Sequence, residues 1–171
     1  MNELKRVIIL DSKPLGEICN PIRYGETKPL IEFFREHQIT LRVAEITDYE
    51  LRRELRLQQL DKGINNLNRF EHRGQIIPLT RESLIMAAEL WGELGNPEAK
   101  TPNQTNINFD AIMVAQALQL RNSFDQIIIL TIKVQKLIKF EKFGINFWEW
   151  QQALVDCHQG QINLSSLTSF E

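Results

Sequence analysis

The sequence predicts an α/β fold, a three-layer α/β/α sandwich around a central parallel sheet, and three observations predict it. Val7 to Leu10 and Ile127 to Leu130 are continuous apolar runs rich in β-branched residues. Such runs mark strands buried on both faces, as in the middle of a parallel sheet. Segments with helical apolar spacing alternate with the strands, which supplies the crossover connections that parallel pairing needs.

Taken in order, Val7 to Leu10 is the first strand and ends at Asp11-Ser12. Either residue can cap the short helix carrying Leu15 and Ile18. From Lys28 to His37 the residues Leu30, Ile31, Phe33 and Phe34 recur at helical spacing. Ile39, Leu41 and Val43 then alternate as a second strand. Thr47 is the expected N-cap of a helix from Asp48 to about Leu60, with Tyr49, Leu51, Leu55, Leu57 and Leu60 inward and Arg52, Arg53 and Arg56 on the polar side. A shorter helix from Gly63 to Arg73 carries Ile64, Leu67 and Phe70. Ile76 to Leu79 is a short strand with Pro78 at its end. Thr80 caps a helix to about Leu94, with Leu84, Ala87, Ala88, Leu90 and Trp91 inward, and Gly95-Asn96-Pro97 stops it. The polar stretch from Asn96 to Asn106 is the longest expected loop. A helix from about Asn108 to Arg121 leads into the strand Ile127 to Leu130. A helical segment with Val134, Leu137 and Ile138, an edge strand at Ile145 to Phe147 and a helix from Trp148 to Cys157 complete the pattern. Residues 1–158 form the expected domain, and 159–171 a loose tail rich in Ser and Thr.

Composition excludes several function classes. The 171 residues are 43% hydrophobic and 25% charged, ordinary values for one globular domain. The formal net charge is −2, so any nucleic-acid binding must rest on a local basic patch. Cys19 and Cys157 lack metal-ligand spacing and read as free thiols, which fits a reducing cytoplasm. The early apolar run is too short for a signal-peptide core or a membrane span. His37, His72 and His158 share no zinc-ligand spacing, and neither a phosphate loop nor a hydrolase triad is present.

Ligands of parallel α/β sheets bind outside the carboxyl ends of the strands. That rule selects Asp11, directly after the first strand, Glu50, expected in the first turn of the helix after the second, and Asp110, at the start of the helix leading into Ile127 to Leu130. Thr131 ends that strand. Carboxylates brought together repel one another, and a divalent cation relieves the repulsion. Hard Mg²⁺ or Mn²⁺ suits such oxygen ligands and promotes attack of water on a phosphodiester. Structural readings stand beside this one: Asp11 as a helix cap, Asp110 as a favourable helix-dipole charge, Glu50 as a solvent-facing residue. Arg52, Arg53 and Arg56 are either an RNA-phosphate patch or a solvated face. Phe147, Trp148 and Trp150 either stack bases or cover the sheet edge.

Four segments carry a resemblance. VIILDSKPL (7–15), ITDYELRREL (46–55), FDAIMVAQAL (109–118) and IIILTIKVQKL (127–137) resemble, in order, the four conserved segments of the PIN-domain family, which includes the VapC-like toxin ribonucleases. The resemblance spans residues 7–137. It implies a PIN-like α/β/α fold and an Mg²⁺- or Mn²⁺-dependent endoribonuclease. It matches Asp11, Glu50 and Asp110 to the metal-binding acids and Thr131 to the supporting hydroxyl. Lys133 departs from the pattern, standing where the family usually carries Asp or Asn. A lysine there takes over part of the cation's role, or contacts phosphate as Arg52 and Arg53 would, or marks weakened or lost activity in a module that binds RNA or a protein. The family also implies a small antitoxin partner and a homodimer.

Overall fold

A computed structural model of the chain describes residues 4–94 and 109–167. Five parallel strands form one sheet: β1 (Arg6–Leu10), β2 (Thr40–Ala44), β3 (Ile76–Ile77), β4 (Gln126–Thr131) and β5 (Asn146–Glu149). Their order is β3-β2-β1-β4-β5. β1 and β4 pair along their whole lengths, from Arg6 opposite Gln126 to Leu10 opposite Leu130. After β3 the chain crosses back over β1 to build β4 on its other side. The sheet's switch point therefore lies between the ends of β1 and β4, where open α/β sheets bind ligands.

The period of two in each strand divides the core between the two faces. Val7, Ile9, Ile127 and Ile129 pack with Ala87 and Leu90 of α5 (Arg81–Glu93) and with α6 (Phe109–Leu118). Ile8, Leu10, Ile128 and Leu130 pack with α1 (Ser12–Cys19), α2 (Tyr24–Glu36), α4 (Asp61–His72) and α8 (Trp150–His158), and with Leu51 and Leu55 of α3 (Glu45–Leu57). The short α7 (Val134–Leu137) and a 3-10 turn at Ile138–Phe143 join β4 to β5. These three layers are the expected sandwich.

The structure corrects several details. Thr47 is not an N-cap: α3 starts directly from β2 at Glu45, and Thr47 is a buried residue inside it. Glu45 and Asp48 supply negative charge to the first turn in place of a side-chain cap. Glu50 consequently lies in the second turn. α3 ends at Leu57, and Gln59 takes a positive φ of 56° as the chain turns into α4. Gly63 lets α4 approach α3 closely, since a Cβ there would meet Leu55 at 3.0 Å. Tyr49, Leu57 and Leu60 are exposed rather than inward.

On α5 the inward row is Ser83, Ala87 and Leu90, while Leu84 and Ala88 face solvent. The capping box formed by Thr80 and Ser83 fixes that rotation by burying Ser83. α6 is buried on nearly all sides, which explains why its apolar pattern lacks a clean stripe. Trp148 belongs to β5, and the last helix starts at Trp150. Beyond Gly160, Ile162, Leu164 and Leu167 are partly buried against the core. The expected helix stop at Gly95-Asn96-Pro97, the loop Asn96 to Asn106 and a helix start at Asn108 lie outside the described residues.

Candidate functional site

Asp11 follows β1 and is 1% exposed. Its backbone N–H donates to Leu130 O at 3.0 Å, continuing the β1–β4 ladder by one rung. Both oxygens of its carboxylate are engaged. Oδ1 accepts from the Ser12 N–H at 2.7 Å, and Oδ2 accepts from the Thr131 hydroxyl at 2.6 Å. Asp11 is thus both a helix cap and a site residue. The Thr131 hydroxyl in turn accepts from the Lys133 N–H at 2.9 Å, which fixes the turn leaving β4.

Asp110 is buried at the start of α6. Lys133 Nζ donates to its Oδ1 at 2.8 Å and stands 3.5 Å from Asp11 Oδ2. Lys136, one turn further along α7, holds Asp110 Oδ2 at 2.7 Å. Burial alone would raise the Asp110 carboxyl, but its bonds to Lys133 and Lys136 hold it below the usual carboxylate range. Burial likewise opposes the charge on Lys133, and Asp11, Asp110 and Glu50 together raise its ammonium above the ordinary lysine value.

Glu50 completes the group. Burial raises its carboxyl, Lys133 works against that rise, and the negative charges of Asp11 and Asp110 add to it. Asp11, Asp110, Thr131 and Lys133 are therefore gathered at the switch point, and the charge of Glu50 acts on Lys133 from α3. Arg53 also acts on Glu50 and lies on this side of α3. Arg52 does not reach the cleft: it forms a two-pronged bond to Asp48 at 2.9 Å and donates to Asn68 at 2.7 Å. That clamp links α3 to α4, and it removes Arg52 from the expected phosphate patch. Phe147, Trp148 and Trp150 are buried and close the sheet edge, so base stacking on them is ruled out.

Hard oxygen donors are the right chemistry for Mg²⁺ or Mn²⁺. Among the described residues, however, no three acidic, His or Cys side chains form a group able to hold a metal ion. The Lys133 ammonium stands where positive charge is needed, between Asp110 and Asp11. Its side chain is 30% exposed, so it has a route out to solvent. The donors are of the type a hard ion takes, but Lys133 and Lys136 already hold both oxygens of Asp110, and Ser12 and Thr131 those of Asp11.

Two supporting residues escaped the sequence reading. Lys136 carried a faint signal, one helical turn from Lys133. Gln116 carried a better one, as an amide within an apolar helix. Fully buried, it donates to Ile77 O at 2.7 Å and accepts from the Ile46 N–H at 3.2 Å, fixing the start of α3 and so the placement of Glu50.

No protein-family model matches this sequence, and no curated protein is significantly similar to it. Solved structures do match. The chain superposes on VapBC2 from Rickettsia felis, bound to a promoter DNA fragment, with a TM-score of 0.59 at 16% identity, covering 84% of this chain and 98% of that one. This is a PIN-like fold. FitAcB from Neisseria gonorrhoeae (TM-score 0.55, 18% identity, 82% of this chain and 96% of that one) agrees. VapBC-1 from nontypeable Haemophilus influenzae (0.53, 18%, 85% and 98%) agrees as well. Among the described residues no helix is long and apolar enough to cross a membrane.

Proposed function

We propose that this chain is an Mg²⁺- or Mn²⁺-dependent endoribonuclease of the toxin type, with Asp11, Glu50 and Asp110 as its metal-binding acids. One observation carries the reading: Asp11 and Asp110, from separate elements, close on the Lys133 ammonium at the switch point, beside a Thr131 hydroxyl bonded to Asp11, and the charge of Glu50 acts on the same lysine. A bound divalent ion would supply Lewis-acid stabilisation of the phosphodiester and activation of water. The chain's own residues do the rest. Ser12 and Thr131 fix the orientation of the Asp11 carboxylate. Glu50 would add its carboxylate from α3 to the acids that hold the ion. Arg53 faces incoming RNA, and Lys133, once displaced, is free to meet a phosphate oxygen.

The matched structures are VapBC and FitAB complexes, which supports an antitoxin partner for this chain. A homodimer and a cytoplasmic site of action belong to the same reading. The test is cleavage of single-stranded RNA in Mn²⁺ and in Mg²⁺. Wild type should cleave and Asp11→Ala should not, and full activity in Asp11→Ala would remove the reading.

One observation favours a second reading. Each carboxylate oxygen of Asp11 and Asp110 already accepts from a protein donor. On this reading Lys133 holds the cation's place permanently, and the domain binds RNA or a partner without cutting. Calorimetric titration with Mn²⁺ separates the two. Binding by wild type supports the nuclease, whereas binding and activity that appear only in Lys133→Asn support the binding module.

A further inference from the structure

Tyr49 precedes Glu50 on α3, yet it is 54% exposed on a helix whose Leu51 and Leu55 are buried. It does not swing free. Its ring meets Phe109 edge to face, with centroids 6.3 Å apart and planes at 75°. The Arg53 guanidinium lies over both rings, 6.0 Å from the Tyr49 centroid and 5.7 Å from that of Phe109. Arg53 also stands 3.6 Å from Glu54, and its side chain is 52% exposed. Phe109 directly precedes Asp110, as Tyr49 precedes Glu50, so each ring is one residue from a cleft acid.

We infer that Tyr49, braced by Phe109 and Arg53, is a stacking shelf for an unpaired RNA base next to the phosphate held at the acidic cleft. This inference rests on the proposed action on RNA and adds how the strand is held. An aromatic ring that offers its face to solvent and is already ordered loses little freedom when a base lies on it. A guanidinium at its rim can stack on the base or take the next phosphate. Stacking uses the flat face that every base has, whatever donors and acceptors its edge carries. The shelf thus takes any base with little sequence preference. It needs a single strand, because a paired base cannot leave its stack to meet the ring.

The experiment compares binding of a short single-stranded oligoribonucleotide with that of an abasic ribose-phosphate chain of equal length. Both keep ordinary phosphodiester linkages, Ca²⁺ replaces Mg²⁺ as a hard ion that takes oxygen ligands while suppressing cleavage, and fluorescence anisotropy is the readout. Wild type should prefer the base-bearing strand by about ten-fold, the size of one stacked base. Tyr49→Ala should lose that preference while binding the abasic chain as wild type does, and Tyr49→Phe should keep it. A Tyr49→Ala variant that retains the preference overturns the shelf, as does a wild type that binds both chains equally. In both cases binding to the cleft still stands. If wild type binds neither chain, the shelf and the proposed action on RNA fall together.

Discussion

Lys133→Asn removes an ammonium that touches two buried aspartates, and the cost can be worked from the contacts. Two unit charges 4 Å apart attract by ~4 kcal/mol at an effective dielectric near 20, before desolvation is counted. Lys133 Nζ lies 2.8 Å from Asp110 and 3.5 Å from Asp11. Removing one member of a buried pair costs ~3–5 kcal/mol, because the partner charge is left uncompensated. The cost here is smaller. Lys133 is 30% exposed, Asp110 keeps Lys136, and Asp11 keeps Thr131 and Ser12. We expect a loss of ~2 kcal/mol, which for a chain of this length lowers the melting temperature by ~4–8 °C in EDTA. Mn²⁺ at a hundred times its dissociation constant returns ~2.7 kcal/mol to a protein that binds it only when folded. The variant should therefore recover its melting temperature in Mn²⁺, and wild type should gain less, since there the ion must displace the lysine. Thermal melts of both proteins in EDTA and in Mn²⁺ make the comparison. An unchanged melting temperature for Lys133→Asn in EDTA would refute the compensating role of the lysine. An equal gain from Mn²⁺ in both proteins would refute competition between lysine and ion.

Other outcomes follow from single contacts. Glu50→Gln removes a charge that burial and two aspartates disfavour, so the melting temperature should rise by ~2 °C at neutral pH while RNA cleavage is lost. Trp150→Phe removes the indole N–H that donates to Glu17 at 2.8 Å. Burial raises the Glu17 carboxyl, but Trp150, Arg23 and Lys13 hold it below its ordinary value. The stability this adds is present above the unfolded carboxylate pKa and is lost as pH falls through the folded one, so the gap in stability between wild type and Trp150→Phe should narrow in denaturant titrations from neutral pH down to about pH 3. Gln116→Leu orphans Ile77 O and the Ile46 N–H, and should cost ~3 kcal/mol in the same titrations.

How much of this was legible in the residues depended on whether the deciding contact was local. The central strands were legible because burial on both faces leaves an apolar run with no other good explanation. Asp11 and Asp110 were legible because each adjoins such a run or the helix leading into one. The start of α3 was not. Thr47 resembles a cap, and only the direct passage from β2, braced by Gln116 from α6, shows that the helix begins three residues earlier. The rotation of α5 was misread because Leu84 and Ala88 fit a helical stripe as well as Ala87 does, and the choice is made by Ser83 turning inward to complete its capping box. Lys133 could be read as a charge out of place, but its bond to Asp110 joins the end of β4 to the start of α6, residues 23 positions apart. Arg52 had a local partner in Asp48, one turn back on the same helix, but its second partner, Asn68, lies on the next helix, 16 residues away.

The bond between Thr131 and Asp11 joins positions 120 residues apart, across the two strands at the centre of the sheet. A ribosome must therefore deliver most of the chain before the acidic pocket can close. Nascent fragments ending before β4 hold Asp11, Glu50 and Asp110, but lack the strand that aligns the first with the last. Whatever chemistry the pocket performs is withheld during synthesis, and chains cut short before β4 carry the acids without the means to use them.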